Sequence, residues 1–129
     1  MIIQHVAVGI IQNTYREILI SQRAPNTYWA NKWEFPGGKI KIKETKTQAL
    51  VRELQEEVGI SVTHYSSYKD CIYQRSNHFF KLHFFLVDQW QGRPWGKEGQ
   101  HCFWLPRYKL KVSKFPPANA SVINKLIHQ

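Results

Sequence analysis

Apolar and polar positions fall into short blocks along the chain, and the blocks predict mostly strands. Residues 2–11 are rich in Ile and Val with a single Gly, as in a buried strand. Asn13-Thr14 predicts a turn, and Ile18-Leu19-Ile20 a second strand folding back on the first as a hairpin. Residues 24–31, with Pro25, predict a loop, and Pro36-Gly37-Gly38 a strong break. Ile40 and Ile42 alternate with lysines, as in a short half-exposed strand. Cys71-Ile72-Tyr73, residues 79–87 and residues 101–105 predict further strands, with a turn at Gly92-Arg93-Pro94.

The best-punctuated element is a helix over residues 46–58. Thr45 followed by Gln48 fits a capping box, in which each side chain satisfies the other residue's orphan N–H. Leu50, Leu54 and Val58 recur every four residues as an apolar stripe. Gly59 stands where a left-handed C-terminal residue is wanted. A second amphipathic helix follows Pro116-Pro117, with Val122, Ile123, Leu126 and Ile127 expected inward; proline is tolerated in a first turn. Strands outnumber helices, the helices fall singly between strand groups, and no internal repeat is present. That predicts one mixed α+β or sandwich domain over residues 1–129 rather than a repeated βαβ array.

Composition narrows the class. With 129 residues, 43% hydrophobic and 14% aromatic, the chain can bury a core, which excludes a disordered tail or a coiled coil. No run of roughly eighteen apolar residues occurs, so no membrane-spanning helix is expected. The start, Met1-Ile2-Ile3-Gln4-His5, shows no secretory pattern. Cys71 and Cys102 are too few and too far apart for a disulfide framework or a thiolate metal site; reduced thiols in a cytoplasmic protein are expected. Eighteen Lys and Arg against nine Asp and Glu give a net charge of +9. Such an excess favours anionic partners, namely nucleotides, nucleic acid or acidic membranes, unless the lysines simply face water.

The acids are unevenly spread. Glu44, Glu53, Glu56 and Glu57 account for four of the nine. On the predicted helix Glu53, Glu56 and Glu57 stand at i, i+3 and i+4, within one arc of about 100° beside the apolar stripe. Exposed like charges so spaced repel by about 0.2–0.5 kcal/mol per pair. They also crowd the end of the helix where the dipole disfavours anions. An ordinary solvated acidic face is one explanation. A bound divalent cation is the other, since it reverses the sign of each repulsion and carboxylate oxygens suit Mg²⁺, Mn²⁺ or Ca²⁺. Arg52 can pin a neighbouring carboxylate in a fixed geometry, and Gly37-Gly38 lets backbone approach a ligand closely.

Gly38, five residues, Glu44, seven residues, then Arg52-Glu53-Leu54-Gln55-Glu56-Glu57-Val58-Gly59-Ile60 match the fixed positions of the Nudix box. The chain thus resembles the Nudix hydrolases. Segments 7–11, 30–32, 34–40, 95–100 and 115–119 extend the likeness over nearly the whole chain, to family members that hydrolyse 8-oxo-dGTP. The resemblance implies an α/β/α sandwich around a mixed sheet, with a loop–helix–loop that binds Mg²⁺ or Mn²⁺. It implies Glu53, Glu56 and Glu57 as metal ligands or partners of metal-held water, the Gly37 carbonyl as a backbone ligand, and Glu98 as an acid supplied from outside the box. Glu44 and Arg52 are implied as the ion pair that orients the cluster, Glu44 having also been considered for catalysis, and Glu53 is the preferred general base. Arg23 is implied as a phosphate or nucleotide contact, with Tyr28 in a segment near the nucleotide. Phe35 and the backbone of Glu34, Phe35, Pro36 and Gly37 are implied as the wall of the base pocket, although Phe35 also suits an ordinary core.

Asn119 is implied as the reader of the base, although Asn in that place also suits a helix cap. Guanine presents acceptors at N7 and O6, whereas the 8-oxo form carries a hydrogen on N7. An amide can donate to O6 and accept from N7–H, and plain guanine would face its carbonyl with a lone pair. Tyr28, Arg75, Asn77 and His78 depart from the family pattern near the expected nucleotide site, and Lys43 stands where glycine is common.

The implied function is Mg²⁺-dependent hydrolysis of 8-oxo-dGTP at the β-phosphorus to 8-oxo-dGMP and pyrophosphate, which keeps oxidised guanine out of DNA. A cytoplasmic monomer with a nucleoside triphosphate as partner and no stable nucleic-acid binding is expected. Two alternatives stay open. One is Nudix hydrolysis of another nucleoside diphosphate derivative, such as a sugar nucleotide, or of an unmodified dNTP. The other is a catalytically silent Nudix module that binds nucleic acid through its basic surface, against which the complete acidic set argues.

Overall fold

The computed structural model describes residues 2–129. Seven strands, β1 (Ile3–Ile11), β2 (Glu17–Gln22), β3 (Trp33–Glu34), β4 (Gly37–Lys39), β5 (Ser61–Arg75), β6 (His78–Gln91) and β7 (Cys102–Pro106), accompany two helices, α1 (Lys46–Val58) and α2 (Ala120–Ile127). They form a four-stranded mixed sheet in the order β4-β1-β6-β5 and a three-stranded sheet in the order β3-β2-β7. β1 runs parallel to β6, in the register Val6 to Leu82 and Ile10 to Leu86, and β4 pairs antiparallel at the edge of β1.

The period-two alternation of β1 explains the layering. Ala7 and Ile11 pack in one buried cluster with Leu50, Leu54 and Val58 of α1. Val8 and Ile10 pack in the other with Val122, Ile123 and Leu126 of α2. The strand is therefore covered on both faces, one helix to each, giving an α/β/α sandwich. Burying a Leu, Ile or Val side chain in this way stabilises by about 1.5–3 kcal/mol. Gly9 lets α1 lie close, since a Cβ there would stand 2.8 Å from Leu54 Cδ1.

The capping box of α1 is present as predicted: Gln48 N–H donates to Thr45 Oγ1 at 3.1 Å and Thr45 N–H to Gln48 Oε1 at 2.9 Å. Gly59 closes the helix in the left-handed region, at φ 71°.

Other expectations are corrected. β1 and β2 do not form a hairpin; one isolated bridge joins Gln12 to Ile18, and β2 passes into the second sheet to pair with β3 and β7. The break at Pro36-Gly37-Gly38 leads into a strand, because Gly37 and Gly38 pair with Val8 and Ala7. The expected strand at Ile40 and Ile42 ends instead at Lys39, and Ile42 is exposed. β5 runs fifteen residues rather than three. Ile127 faces outward at the end of α2, whereas Val122, Ile123 and Leu126 are buried.

Candidate active site

The loop and helix that resemble the Nudix box are tied together by one guanidinium. Arg52 Nε and Nη2 donate to the two oxygens of Glu44 at 2.7 and 2.9 Å. Arg52 Nη1 donates to Glu53 Oε1 at 2.7 Å and to Glu56 Oε2 at 3.2 Å, and Nη2 also reaches the Lys39 carbonyl at 3.1 Å. The forked grip matches the planar donors of arginine to a carboxylate. Its hydrogen bonds, with a further one from the Lys41 N–H, hold the Glu44 carboxyl down at about 2. The bond to Glu44 in turn pushes the Arg52 pKa up. Lys43, in the loop before Glu44, adopts φ 69°. A left-handed conformation favours glycine there, which accounts for the family preference and leaves a lysine strained.

Gly38 lies against the Glu53 carboxylate so closely that a Cβ would overlap it. Gly37 presses on β1, where a Cβ would overlap the Ala7 carbonyl, and its N–H donates to Glu57 Oε2 at 3.1 Å. Burial pushes the Glu57 carboxyl up to about 8. The Gly37 N–H opposes that shift, and the charges of Glu34, Glu98 and Glu53 add to it.

Glu98 is brought in by a loop docked on the end of α1. Trp95 N–H donates to the Val58 carbonyl at 3.1 Å. Gln100 Nε2 donates to the Glu57 carbonyl at 2.9 Å, while Gln100 Oε1 accepts from Glu98 N–H at 2.9 Å. Glu57, Glu98, Glu34, Arg23 and Gln100 then line one cleft of about 250 Å³. Gln100 was not singled out from the sequence, because its role depends on where the loop lands.

The nucleotide candidates divide. Arg23 Nη1 pairs with Glu34 Oε2 at 2.7 Å and its Nε donates to the Tyr28 carbonyl at 2.7 Å. Burial raises the Glu34 pKa against the pull of Arg23. Phe35 is a core ring, 5% exposed, stacked on Phe115 at 5.2 Å and edge-on to Phe84 at 6.1 Å. The Pro36 carbonyl accepts from Gly9 N–H at 2.8 Å, fixing the backbone between Phe35 and Gly37 to β1. Asn119 makes no side-chain cap to α2. Its Nδ2 leans on the Pro116 carbonyl at 3.3 Å, and the residue lines a cavity of about 150 Å³ with Arg23, Trp29, Tyr73, Arg75 and Phe80. Trp29, Tyr73 and Phe80 were not foreseen; they come from three separate elements that only the fold brings together. Tyr28 stands 62% exposed at the rim. Asn77 and His78 lie at the exposed tip of the β5–β6 hairpin.

Among the described residues no three His, Cys, Asp or Glu side chains close around a single point. Glu53 and Glu56 turn to Arg52, and Glu57 turns to Gly37. The donor set nonetheless suits a hard divalent cation: it is all oxygen, and Glu57 is half-buried within the field of three other acids. Glu53, Glu56, Glu57, Glu98 and the Gly37 carbonyl are the groups that could hold one.

Comparison with known proteins agrees with this geometry. The profile of the NUDIX domain matches residues 3–126. The 8-oxo-dGTP diphosphatase of Escherichia coli K12 is 51% identical over 121 residues, covering 94% of each chain. The CTP pyrophosphohydrolase of the same organism is 36% identical over 118 residues, covering 92% of this chain and 87% of that one. A solved MutT structure, from work on the Aliivibrio salmonicida and Vibrio cholerae proteins, superposes with a TM-score of 0.83 at 37% identity, covering 98% of this chain and 97% of the other. No helix is long and apolar enough to cross a membrane among the described residues. A NUDIX profile that matches nearly end to end, on a box whose glycines, arginine and glutamates make these contacts, places the chain in the Nudix family.

Proposed function

We propose that the chain is an 8-oxo-dGTP diphosphatase, which hydrolyses its substrate at the β-phosphorus to 8-oxo-dGMP and pyrophosphate with Mg²⁺ as cofactor. We read it as a single Nudix unit acting as a cytoplasmic monomer on free nucleotides, without stable nucleic-acid binding. The observation that carries the reading is adjacency. Arg23 lines both the acidic cleft of Glu57 and Glu98 and the Asn119 cavity, so phosphate chemistry and base recognition share a wall.

A divalent ion held by Glu53, Glu56, Glu57, Glu98 and the Gly37 carbonyl would neutralise the triphosphate and acidify the attacking water. Arg52 fixes Glu53 through Oε1, which leaves Oε2 to accept the proton of that water. Glu44 anchors Arg52 with both oxygens and so holds Glu53 indirectly. Arg23 offers positive charge to the polyphosphate. The Asn119 amide donates to O6 and accepts from N7–H of the oxidised base, a pattern that plain guanine does not satisfy.

A second reading keeps this machinery and changes the base, as the likeness to a CTP pyrophosphohydrolase suggests. Product identification with 8-oxo-dGTP, dGTP and CTP side by side, with and without Mg²⁺, separates the two. The expected result is monophosphate and pyrophosphate, fastest from 8-oxo-dGTP, lost without metal, with Asn119→Ala narrowing the gap to dGTP. Preference for CTP, or no preference for the oxidised base, overturns the first reading.

A further inference from the structure

The loop between β2 and β3 is exposed over residues 24–29. Trp29 and Asn31 both adopt left-handed conformations, at φ 58° and 65°, and side chains other than glycine stay there only when surroundings hold them. Tyr28 is 62% exposed, while Trp29, 39% exposed, turns part of its ring to the cavity. The base of the loop is fastened by Arg23 N–H to the Lys32 carbonyl at 2.8 Å and by Lys32 Nζ to the Ser113 carbonyl at 2.6 Å, whereas within it Thr27 N–H reaches Ala24 at 3.4 Å, Lys32 N–H Trp29 at 3.1 Å and Asn31 N–H Arg23 at 3.3 Å.

Across the cavity, the last residue of β5 adds a hold on the Tyr28 side chain. The Arg75 guanidinium lies 4.1 Å from the centre of the Tyr28 ring and 5.3 Å from that of Phe80. Among the described residues no carboxylate or carbonyl claims it. A planar cation between two rings is attracted to both faces. Phe80 belongs to β6, so the stack joins the hairpin tip to the loop over the cavity that Asn119 lines. The Tyr28 carbonyl, in the same residue, receives the Arg23 Nε that helps to aim Arg23. Movement of Tyr28 is therefore felt at both the base cavity and the phosphate side.

We propose that Arg75 is a positioning residue for nucleotide binding, latching the 24–32 loop over the base cavity by stacking on Tyr28. The role in nucleotide binding rests on the function proposed above; the latch itself does not. Amide hydrogen exchange of the nucleotide-free protein and steady-state kinetics with 8-oxo-dGTP test the two parts. In Arg75→Ala, exchange at Thr27, Asn31 and Lys32 should quicken roughly three- to tenfold, and KM should rise by a similar factor and by more than kcat falls. Arg75→Lys should restore neither fully, because an ammonium cannot stack as a plane. Tyr28→Leu should reproduce both changes, and the double variant should be no worse than either single one. Unchanged exchange in Arg75→Ala removes the latch. Faster exchange with an unchanged KM overturns the binding role. If the wild-type protein does not turn over 8-oxo-dGTP at all, the proposed function fails while exchange still decides the latch.

Discussion

Glu44 and Glu57 are the same side chain at opposite ends of one loop–helix segment, and their surroundings drive them in opposite directions. Glu44 is held down at about 2 by hydrogen bonds from Arg52 and from the Lys41 N–H. Glu57 is pushed up to about 8 by burial, with Glu34, Glu98 and Glu53 adding to the shift. One acid has a cation built into the chain, and the other has only a backbone N–H. The first is orientation machinery, complete as it stands. The second is a deficit of positive charge, which the divalent ion of the proposed reaction would fill. Glu53 belongs to both groups: Arg52 grips one of its oxygens, and its charge weighs on Glu57.

That double membership makes Glu53 the place to break the comparison hardest. Glu53→Gln keeps the shape and a hydrogen-bonding oxygen for Arg52, but removes the basic carboxylate. Turnover should fall by about 10²–10⁴-fold with the circular dichroism spectrum and melting cooperativity retained; near-normal turnover would separate Glu53 from the chemistry.

The pH dependence of stability sharpens the contrast next. A raised Glu57 pKa means that the folded state keeps a proton that the unfolded state releases. The metal-free protein should lose stability from this group as pH rises from about 4.5 to about 8. Glu44 acts in the other sense: its contribution is present above about 4.5 and is lost as pH falls towards 2. Urea denaturation at pH 5 and pH 9 should show the Glu57 loss, and Mg²⁺ should reverse it at the higher pH. Glu57→Gln should flatten the difference; an unchanged difference in that variant would show that Glu57 is not the group responsible.

The smallest effect lies on the arginine-paired side. Lys43→Gly relieves the left-handed strain before Glu44, partly offset by the greater freedom of an unfolded glycine. A gain of about 0.5 kcal/mol or less is expected from denaturant midpoints. A clear loss would mean that the lysine side chain contributes more to the loop than its backbone strain takes away.

What could be read before the fold was known follows from how local each signal is. α1 was legible to its ends because its cap, stripe and closing glycine all lie within the segment. β5 was mostly missed because residues 61–70 carry polar side chains on an exposed edge strand, which leaves little alternation to detect. The wrong hairpin has a different cause. Closeness in sequence suggested that β1 pairs with β2, whereas burial on both faces suits β1 to a central place beside the distant β6. Glu53, Glu56 and Glu57 stood out as a cluster, but nothing local distinguished the half-buried Glu57 from the exposed Glu56. That distinction is made by the loop carrying Trp95, Glu98 and Gln100, which lands on the last turn of α1. Phe35, equally suited by sequence to pocket or core, went to the core because Phe84 and Phe115 meet it there.

The contact between Gly38 and the Glu53 carboxylate carries one more consequence. With no side chain at 38, the edge strand itself acts as a stop against which the acid rests, so a single added methyl would swing Glu53 off Arg52 while leaving the apolar layers undisturbed. Substitution at this spot would thus act on the placing of one carboxylate far more than on the fold.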